Sequence, residues 1–167
     1  MLALTKTSCR LSEILTKGNE MDKRKLFEMA SSFRKAIIDA IDSGSLHEVN
    51  LLCFPDGCCT YASDLLQRYL FENSIVTTQM SGTYGNGWTG ESHAWLETLD
   101  GIVIDITGDQ YKNKSLKFTI PVYVGTRFDG FHDRFVLKEP YEYDADRQDQ
   151  SFENRYNIVL NHLRNYL

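Results

Sequence analysis

The chain has 167 residues, of which 42% are hydrophobic and 25% are charged, a composition typical of a single globular domain with a sizeable core. Its formal net charge of -5 argues against a nucleic-acid partner held by general electrostatics. No apolar run approaches the roughly 18 residues needed to span a membrane, and residues 1–17 lack the continuous apolar stretch of a secretory signal. We therefore expect one cytoplasmic domain over residues 1–167, without a membrane partner.

The chain has four cysteines: Cys9, Cys53, Cys58 and Cys59. In a reducing cytoplasm they should be free thiols, and the adjacent pair Cys58 and Cys59 would make a strained disulfide. Their spacing contains no pair of CxxC units, as the usual zinc sites require. The cysteine pattern therefore predicts no disulfide and no metal, and nothing in the sequence indicates a cofactor.

The N-terminal part of the chain predicts a peripheral segment followed by a helix. Residues 1–18 show only scattered apolar positions, whereas apolar side chains recur at three- and four-residue steps over residues 21–43. Asn19 or Asp22 can cap the start of this helix, and Gly44 fits its end.

A second helix is predicted over residues 58–71, directly after the loop Phe54-Pro55-Asp56-Gly57. Asp56 is the expected N-cap. Cys59 then falls in the first turn, where free backbone N–H groups point outward.

The middle of the chain predicts a small sheet. Four runs are rich in β-branched and aromatic residues: 75–80, 93–99, 102–107 and 120–124. The glycine-rich segment 81–90 is predicted to be a mobile loop, and 138–150 a surface connection. A final helix is predicted over 152–166. Helices, then an antiparallel sheet, then a helix indicate the α+β class.

The candidate nucleophile is a cysteine at the start of the second helix. The helix dipole and the free N–H groups there stabilise a thiolate, and they can also bind the oxyanion formed when it attacks a carbonyl. Gly57 lets a substrate approach the backbone. Successive helical residues point about 100° apart, and the apolar stripe of this helix includes position 58. Cys58 is therefore expected in the core and Cys59 in the cleft, although either one could be a small buried hydrophobe.

The candidate base and its orienting group lie on neighbouring predicted strands. His93 stands at a strand end after the glycine-rich loop, whereas His47, His132 and His162 lie in polar or helical contexts without a following partner. Asp105 interrupts an apolar strand, where a carboxylate is costly unless it is paired. An imidazole on the adjacent strand would pair with it.

The hairpin between these strands makes the pairing testable. A two-residue type I′ turn at Asp100-Gly101 would place His93 and Asp105 on opposite faces of the sheet. A three-residue loop, Leu99-Asp100-Gly101, with Gly101 in the left-handed conformation, would place both on one face. A Cys-His-Asp triad therefore requires the odd-length loop.

The ordered motifs Gly57-Cys58-Cys59, His93-Ala94-Trp95 and Asp105-Ile106-Thr107 resemble the transglutaminase-like superfamily of papain-fold enzymes. The pattern is also similar to the cysteine peptidase that cleaves leader peptides in lasso-peptide maturation. It looks closest to a group of uncharacterised bacterial proteins with a Phe-Pro-x-Gly start and an Asp-Gln-aromatic end, here Asp109-Gln110-Tyr111. The resemblance covers about residues 52–111.

This resemblance implies a papain-like or transglutaminase-like fold, with the nucleophile helix packed on a small antiparallel sheet and additional N- and C-terminal helices. It implies Cys59 as nucleophile, His93 as base and Asp105 as orienting group. They would act on an amide bond of a peptide or protein through a thioester, as a peptidase, deamidase or transglutaminase. The chain has no glutamine before residue 67, unlike papain, so an oxyanion donor must come from the backbone or another side chain.

Five residues are predicted to contact substrate: Gly57, Cys58, Tyr84, Trp88 and Trp95. Two other readings stay open. The first is a non-catalytic binding module that retains the fold. The second is a thiol metal site that combines His93 with Cys53, Cys58 or Cys59.

Overall fold

Helices and an antiparallel β-sheet make up this computed structural model, which describes residues 22–85, 90–142 and 149–167. The three helices are α1 (Lys23–Asp42), α2 (Cys59–Glu72) and α3 (Gln150–Leu163). The strands are β1 (Thr77–Tyr84), β2 (Glu91–Thr98), β3 (Ile102–Asp105), β4 (Tyr123–Thr126), β5 (Val136–Leu137) and β6 (Tyr141–Glu142). The predicted α+β class is confirmed.

Helix α1 begins two residues later and ends one residue earlier than predicted, and Asp22, one of its two expected caps, is the N-cap. The carboxylate of Asp22 accepts hydrogen bonds from the backbone N–H groups of Arg24 (3.0 Å) and Lys25 (3.3 Å). Gly44 follows the helix with a φ of +70°, which a residue without a side chain adopts at little cost. The apolar face of α1 packs against α3 and the sheet.

Helix α2 begins one residue later than predicted, and the expected cap is wrong. Its N-cap is Cys58, which makes no side-chain capping hydrogen bond. The chain turns at Gly57, whose φ is +70°, so Asp56 lies two residues before the cap and outside capping position. Cys59 is the first helical residue.

The sheet has the strand order β4-β3-β2-β1, and both β5 and β6 pair with the outer edge of β1. β1 runs to Tyr84, so the predicted loop over 81–90 is wrong for its first four residues. Gly82 lies within β1, where the lack of a side chain allows Phe135 and Val136 to approach its backbone closely; it does not form a turn. A Cβ on it would lie 2.8 Å from the Cβ of Phe135 and 2.9 Å from the oxygen of Val136.

Other boundaries shift by a few residues. The predicted strand 102–107 ends at Asp105, and the strand 120–124 begins only at Tyr123. The predicted surface connection 138–150 contains β6, which pairs with β1. The last helix ends at Leu163 and continues as a 3₁₀ turn.

The hairpin between β2 and β3 has the odd-length loop. Leu96 pairs with Ile104 and Glu97 with Val103, which leaves Leu99-Asp100-Gly101 as the loop. Gly101 has a φ of +76° and donates its N–H to the oxygen of Thr98 at 2.9 Å. The two-residue turn that Asp-Gly favours is therefore not formed; the loop is the three-residue one that the triad requires, and it places positions 93 and 105 on the same face.

The two faces of the sheet carry different cores. Leu96 and Ile104 pack with the helices on one face. On the other face lies an aromatic cluster, formed by Trp95, Val103, Tyr111, Phe131 and Phe135. None of the described helices combines the length and the apolar character needed to cross a membrane.

Candidate active site

The two adjacent cysteines lie in different environments. Cys58 is fully buried in the helical core, whereas Cys59 keeps 9% of its surface exposed. Burial raises the pKa of the Cys58 thiol to about 12, assisted by the charges of Cys59 and Asp56. The prediction that Cys58 points into the core is confirmed, and it has no exposed surface to offer the substrate that it was also expected to contact.

Cys59 contacts the imidazole of His93. Burial alone would raise the pKa of the Cys59 thiol, but three features outweigh it. These are a hydrogen bond with His93, the charge of that ring and the backbone N–H of Ala94, and together they lower the pKa. These contacts favour the thiolate form of Cys59 beside the imidazolium form of His93.

His93 is oriented by Asp105 on the neighbouring strand. Nε2 of His93 lies 2.7 Å from Oδ2 of Asp105, and each residue is only 1% exposed. The other carboxylate oxygen accepts hydrogen bonds from the N–H (2.8 Å) and the hydroxyl (3.3 Å) of Thr107. Burial opposes ionisation of both partners, yet their mutual attraction lowers the pKa of Asp105 and raises that of His93 to about 9.

These shifts predict an unusual pH dependence for alkylation of Cys59. Because its pKa is lowered from 9.0, the thiolate should form below pH 9, and His93 should stay protonated until about pH 9. Iodoacetamide alkylation, followed at Cys59 by mass spectrometry, should therefore reach half its maximal rate below pH 9. A His93→Gln variant should move that midpoint upward. A midpoint at or above pH 9 in the unmodified protein would contradict the ion pair.

A second histidine, His132, shares the carboxylate of Asp105. Its Nε2 lies 3.0 Å from Oδ2 of Asp105, and its Nδ1 lies 2.5 Å from Oδ2 of Asp129. The residue is fully buried. Because both ring nitrogens face carboxylates, both are donors and the ring is an imidazolium. Burial works against this charge, but the two carboxylates outweigh it and raise the pKa of His132.

His132 was not expected at the site because its sequence neighbours are polar, but its ring lies against Asp105. A usable signal was the spacing Asp129-x-x-His132. Oδ1 of Asp129 accepts the backbone N–H groups of Phe131 and His132 at 2.8 Å each, which fixes the turn that aims the ring inward. The result is a buried row of alternating charge that runs from Asp129 through His132, Asp105 and His93 to Cys59.

Within the part of the chain that the structure describes, one group of side chains has metal-ligating spacing. It consists of His93, Asp105 and His132, whose ligand atoms lie within 4.8 Å of one another. Both Nε2 atoms point at the same carboxylate oxygen at hydrogen-bonding distance, and the group contains no cysteine. The thiol metal site considered above is therefore not assembled among the described residues.

Gln110 joins the nucleophile loop to the base. Its Oε1 accepts the backbone N–H of Gly57 at 3.3 Å, and its Nε2 lies 3.1 Å from Nδ1 of His93. Its segment, the 3₁₀ turn Gly108–Tyr111, is anchored by the buried Arg34, which forms a two-point ion pair with Asp109. Sequence reasoning quoted Gln110 only as part of a motif and assigned it no role.

Two of the other predicted substrate contacts surround this site. Gly57 has open space where a side chain would stand, as close approach of a substrate requires. Tyr84 is partly exposed at the end of β1, with its ring against Phe135. Trp95 is fully buried, with its ring centroid 5.7 Å from that of His93, so it supports the base rather than offering a surface. Trp88 lies outside the described residues.

No family model, curated protein or solved structure matches this chain. Its function therefore has to be inferred from the site itself. The geometry unites Cys59, His93 and Asp105, which were predicted to act together, and adds His132, Asp129 and Gln110.

Proposed function

We propose that the protein is a cysteine-dependent hydrolase or acyltransferase that acts on an amide bond of a peptide or protein. One observation carries the proposal. A cysteine at a helix N-terminus interacts with an imidazole that lowers the pKa of its thiol, and the far nitrogen of that ring lies 2.7 Å from a buried carboxylate. A nucleophile, a base and an orienting group in hydrogen-bonding sequence are the parts that thiol acyl transfer needs.

The first half-reaction forms a thioester. The proton of Cys59 moves to Nδ1 of His93, because Nε2 already donates to Asp105. The sulfur pair then bonds to the carbonyl carbon, and the C=O π pair moves onto oxygen. When that pair returns, the C–N bond breaks and the amine leaves with the proton from His93.

The second half-reaction regenerates the thiol. His93 removes a proton from an incoming water or amine, whose electron pair bonds to the thioester carbon. The C–S bond breaks, and the proton returns to the sulfur through His93. Water as acceptor gives a peptidase or deamidase, and an amine gives a transglutaminase.

The fold is compatible with a papain-like or transglutaminase-like arrangement, which we propose on the order of the elements. The cysteine begins a helix, the histidine follows on a strand, and the aspartate stands on the next antiparallel strand. That helix packs against the sheet, as the resemblance implies.

Selective labelling tests the proposal. At pH 7, iodoacetamide should modify Cys59 of the full-length protein faster than the exposed Cys53 or the buried Cys58, as read site by site by mass spectrometry. Replacing His93 with alanine should slow labelling of Cys59 about 100-fold, which is a typical contribution of a positioned base.

His47→Ala is the matched control because His47 is exposed and lies outside the site. It should leave the Cys59 rate within about threefold of the original, as expected for a surface change. Equal labelling of Cys53 and Cys59, or no effect of His93→Ala, would refute the enzyme and favour the binding module.

A further inference from the structure

Gln110 is locked in one orientation by partners of opposite hydrogen-bonding character. The backbone N–H of Gly57 requires an acceptor, so Oε1 faces it at 3.3 Å. The carbonyl of Thr107 requires a donor, so Nε2 faces it at 3.1 Å. The second hydrogen of that amide points at Nδ1 of His93, also at 3.1 Å. The side chain is almost fully buried, so water does not compete for these contacts.

The hydrogen bond to His93 can exist in only one protonation state. Nδ1 accepts a hydrogen bond while it is unprotonated and becomes a donor once it carries a proton. Because Nε2 is engaged by Asp105, Nδ1 is the atom that takes the proton of Cys59. In the ion pair of His93 and Cys59, Nδ1 is therefore a donor, and the amide hydrogen of Gln110 has no acceptor on the ring, inside a buried site beside the thiolate.

We propose that Gln110 is a catalytic residue, the side-chain donor of the oxyanion hole. This inference rests on the proposed function. As the sulfur pair bonds to the carbonyl carbon, the C=O π pair becomes an oxygen lone pair, and the released amide hydrogen binds that oxygen. The backbone N–H of Cys59, in the first helical turn, is the second donor because no residue of its own helix can accept it.

The arrangement also supplies a side-chain oxyanion donor from outside the segment that precedes the cysteine. Papain-like enzymes place a glutamine before the cysteine, and this chain has none there. Gln110 contacts the nucleophile loop through Gly57, and Arg34 and Asp109 hold its turn against helix α1. The protonation state of His93 that activates Cys59 is therefore also the one in which this amide hydrogen is free.

Two reactions of Cys59 separate this role from simple support of His93. Acylation by p-nitrophenyl acetate passes through an oxyanion, whereas alkylation by iodoacetamide does not. In Gln110→Met, acylation should fall about 10²- to 10³-fold, the typical loss for one oxyanion donor. Alkylation should be no slower than in the unmodified protein, because this reaction forms no oxyanion.

Gln110→Leu provides a second uncharged variant without the amide donor, and it should show the same split. Gln67→Met is the control, because Gln67 is an equally buried glutamine that donates to the oxygen of Thr77, away from the site. It should change neither rate by more than about threefold.

The outcomes distinguish failure of the role of Gln110 from failure of the proposed function. Parallel loss of both reactions in both Gln110 variants, or unchanged acylation in either of them, overturns the role of Gln110 and leaves the proposed function standing. If Cys59 of the unmodified protein is alkylated selectively but never acylated, the proposed function itself fails and the inference falls with it. Loss of acylation with retained alkylation supports both.

Discussion

Replacing Asp105 with asparagine is expected to slow acylation of Cys59 by p-nitrophenyl acetate at pH 7 by about 10⁴-fold, the loss that the same change causes in a Ser-His-Asp triad. The carboxylate accepts hydrogen bonds from His93 and His132 on one oxygen and from Thr107 on the other. An amide has only one acceptor atom, so at least one of these donors would face an NH₂ group. The imidazolium of His93 also loses the charge that stabilises it.

The control for this variant is Asp100→Asn, the same chemical change in the exposed loop of the same hairpin. It should leave the acylation rate within about threefold, because exposed positions contribute little. Circular dichroism and denaturant titration of both variants separate lost chemistry from lost folding. A folded Asp105→Asn protein with less than a tenfold loss would remove Asp105 from the mechanism.

Replacing His132 with phenylalanine is expected to lower the free energy of unfolding by about 3–5 kcal/mol, the usual cost of removing one partner of a buried ion pair. Phenylalanine can keep the ring packing against Phe131 and Trp95. It cannot donate to Asp105 or Asp129, so two carboxylates lose a charged donor and Asp105 has no access to solvent. Urea titration at constant pH measures the change.

The pH dependence of this loss identifies its cause. The folded pKa of His132 is raised above 6.5, so its contribution is fully present below pH 6.5 and declines as the pH rises through the folded value. The folded pKa values of Asp105 and Asp129 are lowered below 3.8, so their contribution is lost only at acidic pH. The destabilisation should therefore be largest between about pH 4 and 6.5.

Two further variants complete this experiment. Asp129→Asn should cost less than His132→Phe, because Asp129 lies nearer the surface and its partner still contacts Asp105. His47→Phe, at an exposed histidine, should stay within about 0.5 kcal/mol. A His132→Phe protein as stable as the original at pH 6 would show that the buried charges are not coupled as described.

Local chemistry made part of this site predictable. Asp105 stood out because a carboxylate inside an apolar strand needs a partner, and Gly101 allowed the loop that brings His93 to the same face. The helical phase of Cys58 and Cys59 distinguished the thiol in the core from the one beside His93. Each of these inferences depends on residues within a few positions of one another or on one hairpin.

What escaped prediction depends on contacts between distant parts of the chain. His132 follows Asp105 by 27 residues, and no local periodicity signals that its ring turns back onto that carboxylate. Gln110 gained its role from contacts with Gly57 and His93, which come from two other elements. Gly82 suggested a loop because glycine favours turns, whereas the approach of β5 was the actual reason for a small residue.

The buried guanidinium of Arg34 has a consequence for how this protein opens locally. It binds Asp109 and also donates to the backbone oxygens of Ile106 and Pro121, so one side chain of α1 fastens the segments on both sides of the site turn. Those segments cannot detach while α1 stays folded without leaving a cation unpaired. The turn that carries Gln110 therefore belongs to the same cooperative unfolding unit as the first helix, and its amide protons should exchange with solvent only when that helix opens.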